Sequence, residues 1–202
     1  MKLYYSPAAC SLASHIVAHE AGLPLTLERV DLGKKLTASG TDFTKVTEKG
    51  YVPALELDDG SVLTEGTAIV QYLADRAPAK GLAPANGTLA RYQLQALLGY
   101  INSELHKSFG PLFNPATGPE QRAERAAYLQ KRYAYVEKLL GAHPYLTGEA
   151  FTVADAYLFT VTNWADKVKV DLSAFPHLAA FQKRVAQRPA VAAAMRAEGL
   201  IS

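Results

Sequence analysis

The sequence predicts an α/β plus all-α build, a mixed α/β unit followed by an all-helical one, and three observations carry that reading. Over residues 1–77, short apolar runs and helical stretches succeed one another as strand, helix, strand, turn, hairpin and helix. Pro78, Gly81, Pro84, Asn86 and Gly87 then crowd into one short stretch, the composition of a linker. Beyond it, from Thr88 onward, the periodic segments have helical spacing. The expected organisation is therefore a first domain over 1–77, a linker over 78–87 and a helical domain over 88–202.

The chain opens with the apolar, aromatic run Lys2 to Tyr5, a buried strand, which Ser6-Pro7-Ala8-Ala9 breaks. From Cys10 the spacing turns helical, with Leu12, Ile16, Val17 and Ala21 on one face, and Gly22 before Pro24 stops the helix. Leu25 to Asp31 is a second strand, and Gly33 to Gly40 a polar loop. Asp42 is placed to cap a short helical turn ending at Val46. Two apolar runs about Asp58-Asp59-Gly60 form a hairpin, and Glu65 to Ala77 is a helix. In the second half, helices are expected over Thr88 to about Phe113, Pro119 to Leu140 (Gly141 just past its end), Thr152 to about Val168 and Ala174 to Gln187. A terminal piece follows Pro189. Thr152-Val153-Ala154-Asp155 has capping-box spacing with Asp at the reciprocal position, and it opens a helix apolar nearly all round.

Composition narrows the function. A chain of 202 residues with net charge +2 and no basic run gives no reason to expect a nucleic-acid partner. No apolar segment reaches the length of a membrane span, and Met1-Lys2 leads straight into a strand, not a signal peptide. One cysteine rules out an internal disulfide framework and fits a reducing, cytoplasmic setting. No metal is expected.

Four places could carry chemistry. Cys10 falls where a strand ends and a helix begins, where free N–H groups and the helix dipole lower a thiol pKa, often to about 3.5–7.5. Most free cysteines, however, are small buried hydrophobes, and placement alone leaves both readings open. Val52-Pro53 precedes a strand. X-Pro is the bond type whose cis form costs as little as about 0.5–1 kcal/mol, and a cis bond would turn the Val52 N–H and C=O toward an extended ligand. Thr64-Glu65-Gly66-Thr67 opens a helix, so its N–H groups suit a carboxylate while Glu65 suits an ammonium, the two ends of an α-amino acid. Finally, Gly99, Asn102, Ser103, His106 and Gly110 share the face opposite Leu94, Leu97, Leu98, Ile101, Leu105, Phe109 and Leu112. That polar stripe is either a solvated face or the lining of a cleft or subunit interface.

YYSPAACSLASHI, KGYVPAL, LTEGTAIVQYLAD, the helix ending ELHKSFGPLF, and FTVADAYLF together resemble, in order and spacing, the bacterial beta-class glutathione transferases. The resemblance covers essentially the whole chain. It implies a thioredoxin-like N-terminal domain, an all-helical C-terminal domain and a homodimer. Glutathione, the cosubstrate, is expected in the cleft between domains, its thiol activated for attack on small, mostly hydrophobic electrophiles. By position, Cys10 contacts the glutathione sulfur, and Tyr51, Val52 and a cis Pro53 hold the cysteinyl backbone. Glu65 and the Gly66 N–H hold the γ-glutamyl end, Lys35 approaches the glycyl carboxylate, and His106 and Lys107 border the reactive end. Tyr5 and Ser11 are hydroxyl candidates near the sulfur. Tyr100, Phe109, Phe113 and Trp164 are aromatic candidates for the electrophile pocket. Three positions depart from the pattern: Gly66 where relatives often carry Ser, Thr47-Glu48 for Asn-Pro, and Gly99 for Asn. They predict modest glutathione affinity. A monothiol disulfide reductase or peroxidase working through Cys10 is the alternative enzyme. A non-catalytic binding protein on the same fold fits less well with Cys10, Glu65 and Val52-Pro53 all present.

Overall fold

The computed structural model describes all 202 residues. They form two compact units, Met1–Ala83 together with Gln187–Ser202, and Pro84–Ala186.

The first unit is built on a five-stranded sheet of order β3-β2-β1-β4-β5. Strands β1 (Lys2–Tyr5) and β2 (Thr26–Asp31) are parallel, joined through helix α1 (Ser11–Ala21). On the other side of β1 run β4 (Ala54–Glu56) and β5 (Val62–Thr64), each antiparallel to its neighbour. Side chains alternate across a strand. Tyr4 and Ala54 therefore share one face with Val30, where they meet Phe43 and Val52 in a buried cluster. Leu3 and Leu55, fully buried, occupy the opposite face, that of α1 and of helix α2 (Gly66–Asp75). Gly22, left-handed at φ 69°, ends α1 as the Gly-Leu-Pro signal predicts. Asp42 accepts from the Thr44 N–H and caps the single 3₁₀ turn Phe43–Lys45.

Two features differ from the sequence expectation here. The stretch read as a polar loop contains β3 (Leu36–Thr37), antiparallel to the end of β2. Two residues are too few to show a period. In addition, the last helix of the chain, α9 (Pro189–Ala197), packs on α1. It carries the buried Val191 and Ala194, and Arg188 before it holds Glu20 of α1 with two bonds of 2.6 and 2.9 Å.

The second unit is helical throughout. The long helix expected from Thr88 runs as α3 (Leu89–Tyr100), a π-helical stretch Ile101–His106, and α4 (Lys107–Phe113). Leu94, Leu98, Ile101, Leu105, Phe109 and Leu112 are buried along it, while Leu97 is only half-buried. Helix α5 (Pro119–Ala142) continues through Gly141. The segment from Thr152 is divided at Asn163 into α6 (Val153–Thr162) and α7 (Trp164–Val168), and α8 (Pro176–Ala186) follows. Every residue of α6 is buried. Its capping box is formed: the fully buried Asp155 accepts the Thr152 N–H at 2.8 Å and the Thr152 hydroxyl at 2.9 Å. The other carboxylate oxygen takes the Leu146 N–H, so the box also ties down the preceding loop.

Candidate active site

Cys10 occupies the N-cap position of α1, partly exposed. Its thiol does not cap the helix; it donates to the Val52 carbonyl at 3.2 Å. The loop before it is anchored from far along the chain. Ala8 is held in the left-handed region at φ 60°, and its N–H donates to Glu198 Oε2 at 3.0 Å. The second Glu198 oxygen meets His15 Nδ1 of α1 at 3.1 Å, with both side chains buried. Ser11 is spent on the same loop. Its hydroxyl donates to the Ser6 carbonyl and accepts the Ser6 N–H, both at 3.2 Å, so its single proton is not free for a sulfur. Tyr5, half-buried, lies beside His15. Burial, and after it the Glu198 carboxylate, raises its pKa and keeps the phenol neutral.

The Val52-Pro53 bond is cis. Tyr51 before it is 70% exposed, and its ring is covered by the Lys35 ammonium, 5.3 Å from the centroid. Lys35, itself left-handed at φ 54°, donates to the Gly50 carbonyl at 2.8 Å. Pro53 leads to the next helix start: a Cβ at Gly66 would lie 3.6 Å from Pro53 Cγ, ordinary contact. Glu65, at φ 69°, is the N-cap residue of α2, and its carboxylate projects into solvent, where Lys49 Nζ meets it at 2.6 Å. The same ammonium donates to the Thr64 hydroxyl at 3.0 Å. The structure thus brings Cys10, Lys35, Tyr51, Val52, Pro53, Glu65 and Gly66 onto one contiguous stretch of the first unit. Three of the four non-glycine residues at positive φ, namely Ala8, Lys35 and Glu65, belong to its loops, and such conformations each cost about 1–3 kcal/mol and cluster at functional sites.

In the helical unit, His106 ends the π-helical stretch, a winding that recurs at functional sites. Its Nδ1 lies 2.5 Å from the Tyr157 hydroxyl, and that hydroxyl donates to Asn102 Oδ1 at 2.9 Å. Trp164 stands edge-on to the imidazole, with centroids 4.8 Å apart, and meets Phe109 and Phe113 in the same way at 5.7 Å. Burial, and after it the neighbouring Lys107 charge, lowers the His106 pKa from 6.5 to about 4. Lys107 itself is exposed. Of the aromatic candidates, Phe109 is fully buried, Trp164 nearly so, and Phe113 is 49% exposed. Tyr100 is half-buried and donates its hydroxyl to the Arg132 carbonyl.

Lys49, Tyr157 and Glu198 are not among the residues to which the sequence points. Lys49 sits inside the KGYVPAL stretch and could have been found as the cation nearest the acidic helix start. Tyr157 reads only as another apolar position of α6. Glu198 lies 190 residues from Ala8, with no local signal to join them.

Comparison with known proteins agrees with this geometry. The family model for the glutathione S-transferase N-terminal domain matches residues 8–76, and that for the C-terminal domain residues 100–189. The chain is 50% identical to glutathione S-transferase GstA of Escherichia coli O157:H7 over 200 residues, covering 99% of this chain and 100% of the relative. Among solved structures, a sphingomonad glutathione S-transferase complexed with glutathione superposes with TM-score 0.96 at 47% identity, each chain covered in full. The beta-class glutathione S-transferase of Sphingomonas chungbukensis gives TM-score 0.96 at 44% identity, again over the whole of both chains.

Proposed function

Since the chain belongs to the glutathione S-transferase family and matches its bacterial beta class, we propose that it binds glutathione on the Cys10–Val52–Glu65 stretch and transfers its sulfur to small, mostly hydrophobic electrophiles. The observation that carries this reading is the contact of the one cysteine with the Val52 carbonyl, next to Pro53 and the acidic start of α2 that Pro53 packs beside. The tripeptide lies extended along Tyr51 and Val52, adding main-chain pairing as a strand would. Its γ-glutamyl ammonium meets Glu65, displacing Lys49 from a carboxylate that it holds only at the surface, where ion pairs contribute little. The γ-glutamyl carboxylate takes the free N–H groups at the start of α2, opened by Gly66. Lys35 faces the glycyl carboxylate and Cys10 the sulfur. His106 and Lys107 of the helical unit are assigned to turnover. Tyr5 remains a neutral hydroxyl beside the Cys10 loop, and Ser11 acts by holding that loop.

Lowering the thiol pKa of glutathione raises the thiolate fraction that attacks the electrophile. A second reading is favoured by one observation: Cys10, the one cysteine of the chain, is partly exposed at the start of α1. It can therefore attack oxidised glutathione, forming a protein–glutathione disulfide and releasing one reduced glutathione. With no second cysteine in the chain, a further glutathione must resolve that disulfide.

No helix is long and apolar enough to cross a membrane, and we assign the protein to the cytoplasm as a homodimer. Light scattering on the purified protein should give twice the chain mass of 21.8 kDa. Calorimetric titration with glutathione, paired with turnover of a model aromatic halide, tests the activity. Absence of both glutathione binding and conjugation would remove it.

A further inference from the structure

The imidazole of His106 is held from two sides. The Trp164 and Tyr157 rings stand edge-on to it, and Nδ1 is fixed 2.5 Å from the Tyr157 hydroxyl. That hydroxyl has one proton, which it donates to Asn102 Oδ1. An amide oxygen can only accept. The phenol oxygen therefore faces His106 with a lone pair, and only an N–H at Nδ1 completes the bond. Burial keeps the ring neutral near pH 7, so it has a single N–H proton. With that proton at Nδ1, Nε2 keeps its lone pair. The three residues meet because Asn102 and His106, four apart in the π-helical stretch, both reach the same residue of α6.

We propose that Tyr157 and Asn102 are positioning residues that hold His106 in the Nδ1–H tautomer and so make Nε2 a proton acceptor. The consequence for activity rests on the assignment of His106 to turnover; the tautomer itself does not. Nε2 in this state takes up a proton or accepts a hydrogen bond, and it cannot donate one. The chain Asn102–Tyr157–His106 acts in one direction because its far end is an amide oxygen.

Long-range proton–nitrogen NMR on protein labelled with ¹⁵N-histidine reads the tautomer directly, His106→Gln identifying the signal. The wild-type protein should show Nδ1 protonated and Nε2 bare. In Asn102→Ala the phenol loses its acceptor and turns its proton to Nδ1, so the ring should switch to Nε2–H although Tyr157 is still present. Asn102→Asp, which can only accept, should keep the wild-type tautomer. Tyr157→Phe removes the partner altogether, and turnover of an aromatic halide should fall roughly ten- to hundredfold, with a smaller change in KM for glutathione. A wild-type ring protonated at Nε2, or an Asn102→Ala protein with an unchanged tautomer, overturns the proposal. A tautomer that switches while turnover stays whole upholds the clamp and removes His106 from catalysis. Should Tyr157→Phe fail to fold, the half-buried Asn102 pair decides alone.

Discussion

The first unit and the helical unit assemble their candidate residues by opposite means. Around Val52 and Gly66, the proposed recognition rests on main-chain groups and on exposed side chains close to them in sequence, Tyr51 and Glu65. Around His106, by contrast, it belongs to side chains that meet across helices, Tyr157 standing 51 residues away. On the proposed reading, the first arrangement should tolerate side-chain change, because the backbone makes most of the contacts. The second depends on each partner, because a part-buried imidazole takes its proton position from what surrounds it.

That contrast can be broken at Cys10 first, where the largest effect is expected. Oxidised glutathione should add one tripeptide to the wild-type protein by intact mass, reversibly with a reductant, and Cys10→Ala should lose this adduct entirely. If the backbone supplies the binding, the same variant keeps its fold and part of its conjugating activity. A Cys10 that reacts only after unfolding would be a core residue, and the disulfide reading would be wrong.

Glu65 is the side chain of the first unit on which most depends. Charge-assisted hydrogen bonds contribute on the order of 1.5–3 kcal/mol, so Glu65→Gln should weaken glutathione binding by about tenfold or more in calorimetry. Unchanged affinity would take the ammonium elsewhere.

His106 sharpens the comparison through pH. Its pKa of about 4 in the folded protein lies below the ordinary 6.5, so the unfolded chain takes up the proton first as the solution is acidified. The stability contributed by the neutral ring is complete above about pH 6.5 and is lost as pH falls toward 4. Between pH 7 and 5 the loss is on the order of 2 kcal/mol. Urea midpoints at the two pH values should show that this part disappears in His106→Gln. An identical pH dependence in the variant would mean the imidazole is not buried as described.

The smallest effect is expected at Gly66. A side chain there makes only ordinary contact with Pro53, so Gly66→Ser should fold normally. Its hydroxyl, added beside the γ-glutamyl carboxylate, should tighten glutathione binding several-fold, about 1 kcal/mol. Weaker binding would place that carboxylate away from the start of α2.

The same contrast governs how much could be read from the chain. Strands β1, β2, β4 and β5, the glycine stop of α1 and the Thr152–Asp155 box follow from neighbours a few residues apart, and all are present. The grouping of Cys10, Val52-Pro53 and Glu65 is instead what the family resemblance implies, since no local pattern joins segments so far apart in the chain. Where the physics is long-range, the sequence is silent. The π-helical winding at Ile101–His106 has no period distinct from a helix over six residues. The break at Asn163 carries neither Gly nor Pro. The resemblance makes Ser11 a hydroxyl candidate near the sulfur, whereas its bonds to the Ser6 backbone are set by the fold of the loop. The direction of the Cys10 thiol, toward the Val52 carbonyl, is also set by the fold and not by its neighbours in sequence. The docking of α9 on α1 is likewise invisible in a run of alanines.

A crystal structure of the complex with glutathione would show the placement of each group of the tripeptide. The tripeptide should lie extended beside Val52, its sulfur next to or bonded to Cys10 Sγ, its ammonium on Glu65 in place of Lys49, and its γ-glutamyl carboxylate on the N–H of Gly66. Glutathione bound with its sulfur remote from Cys10, or with its γ-glutamyl end away from Glu65 and Gly66, would contradict this placement.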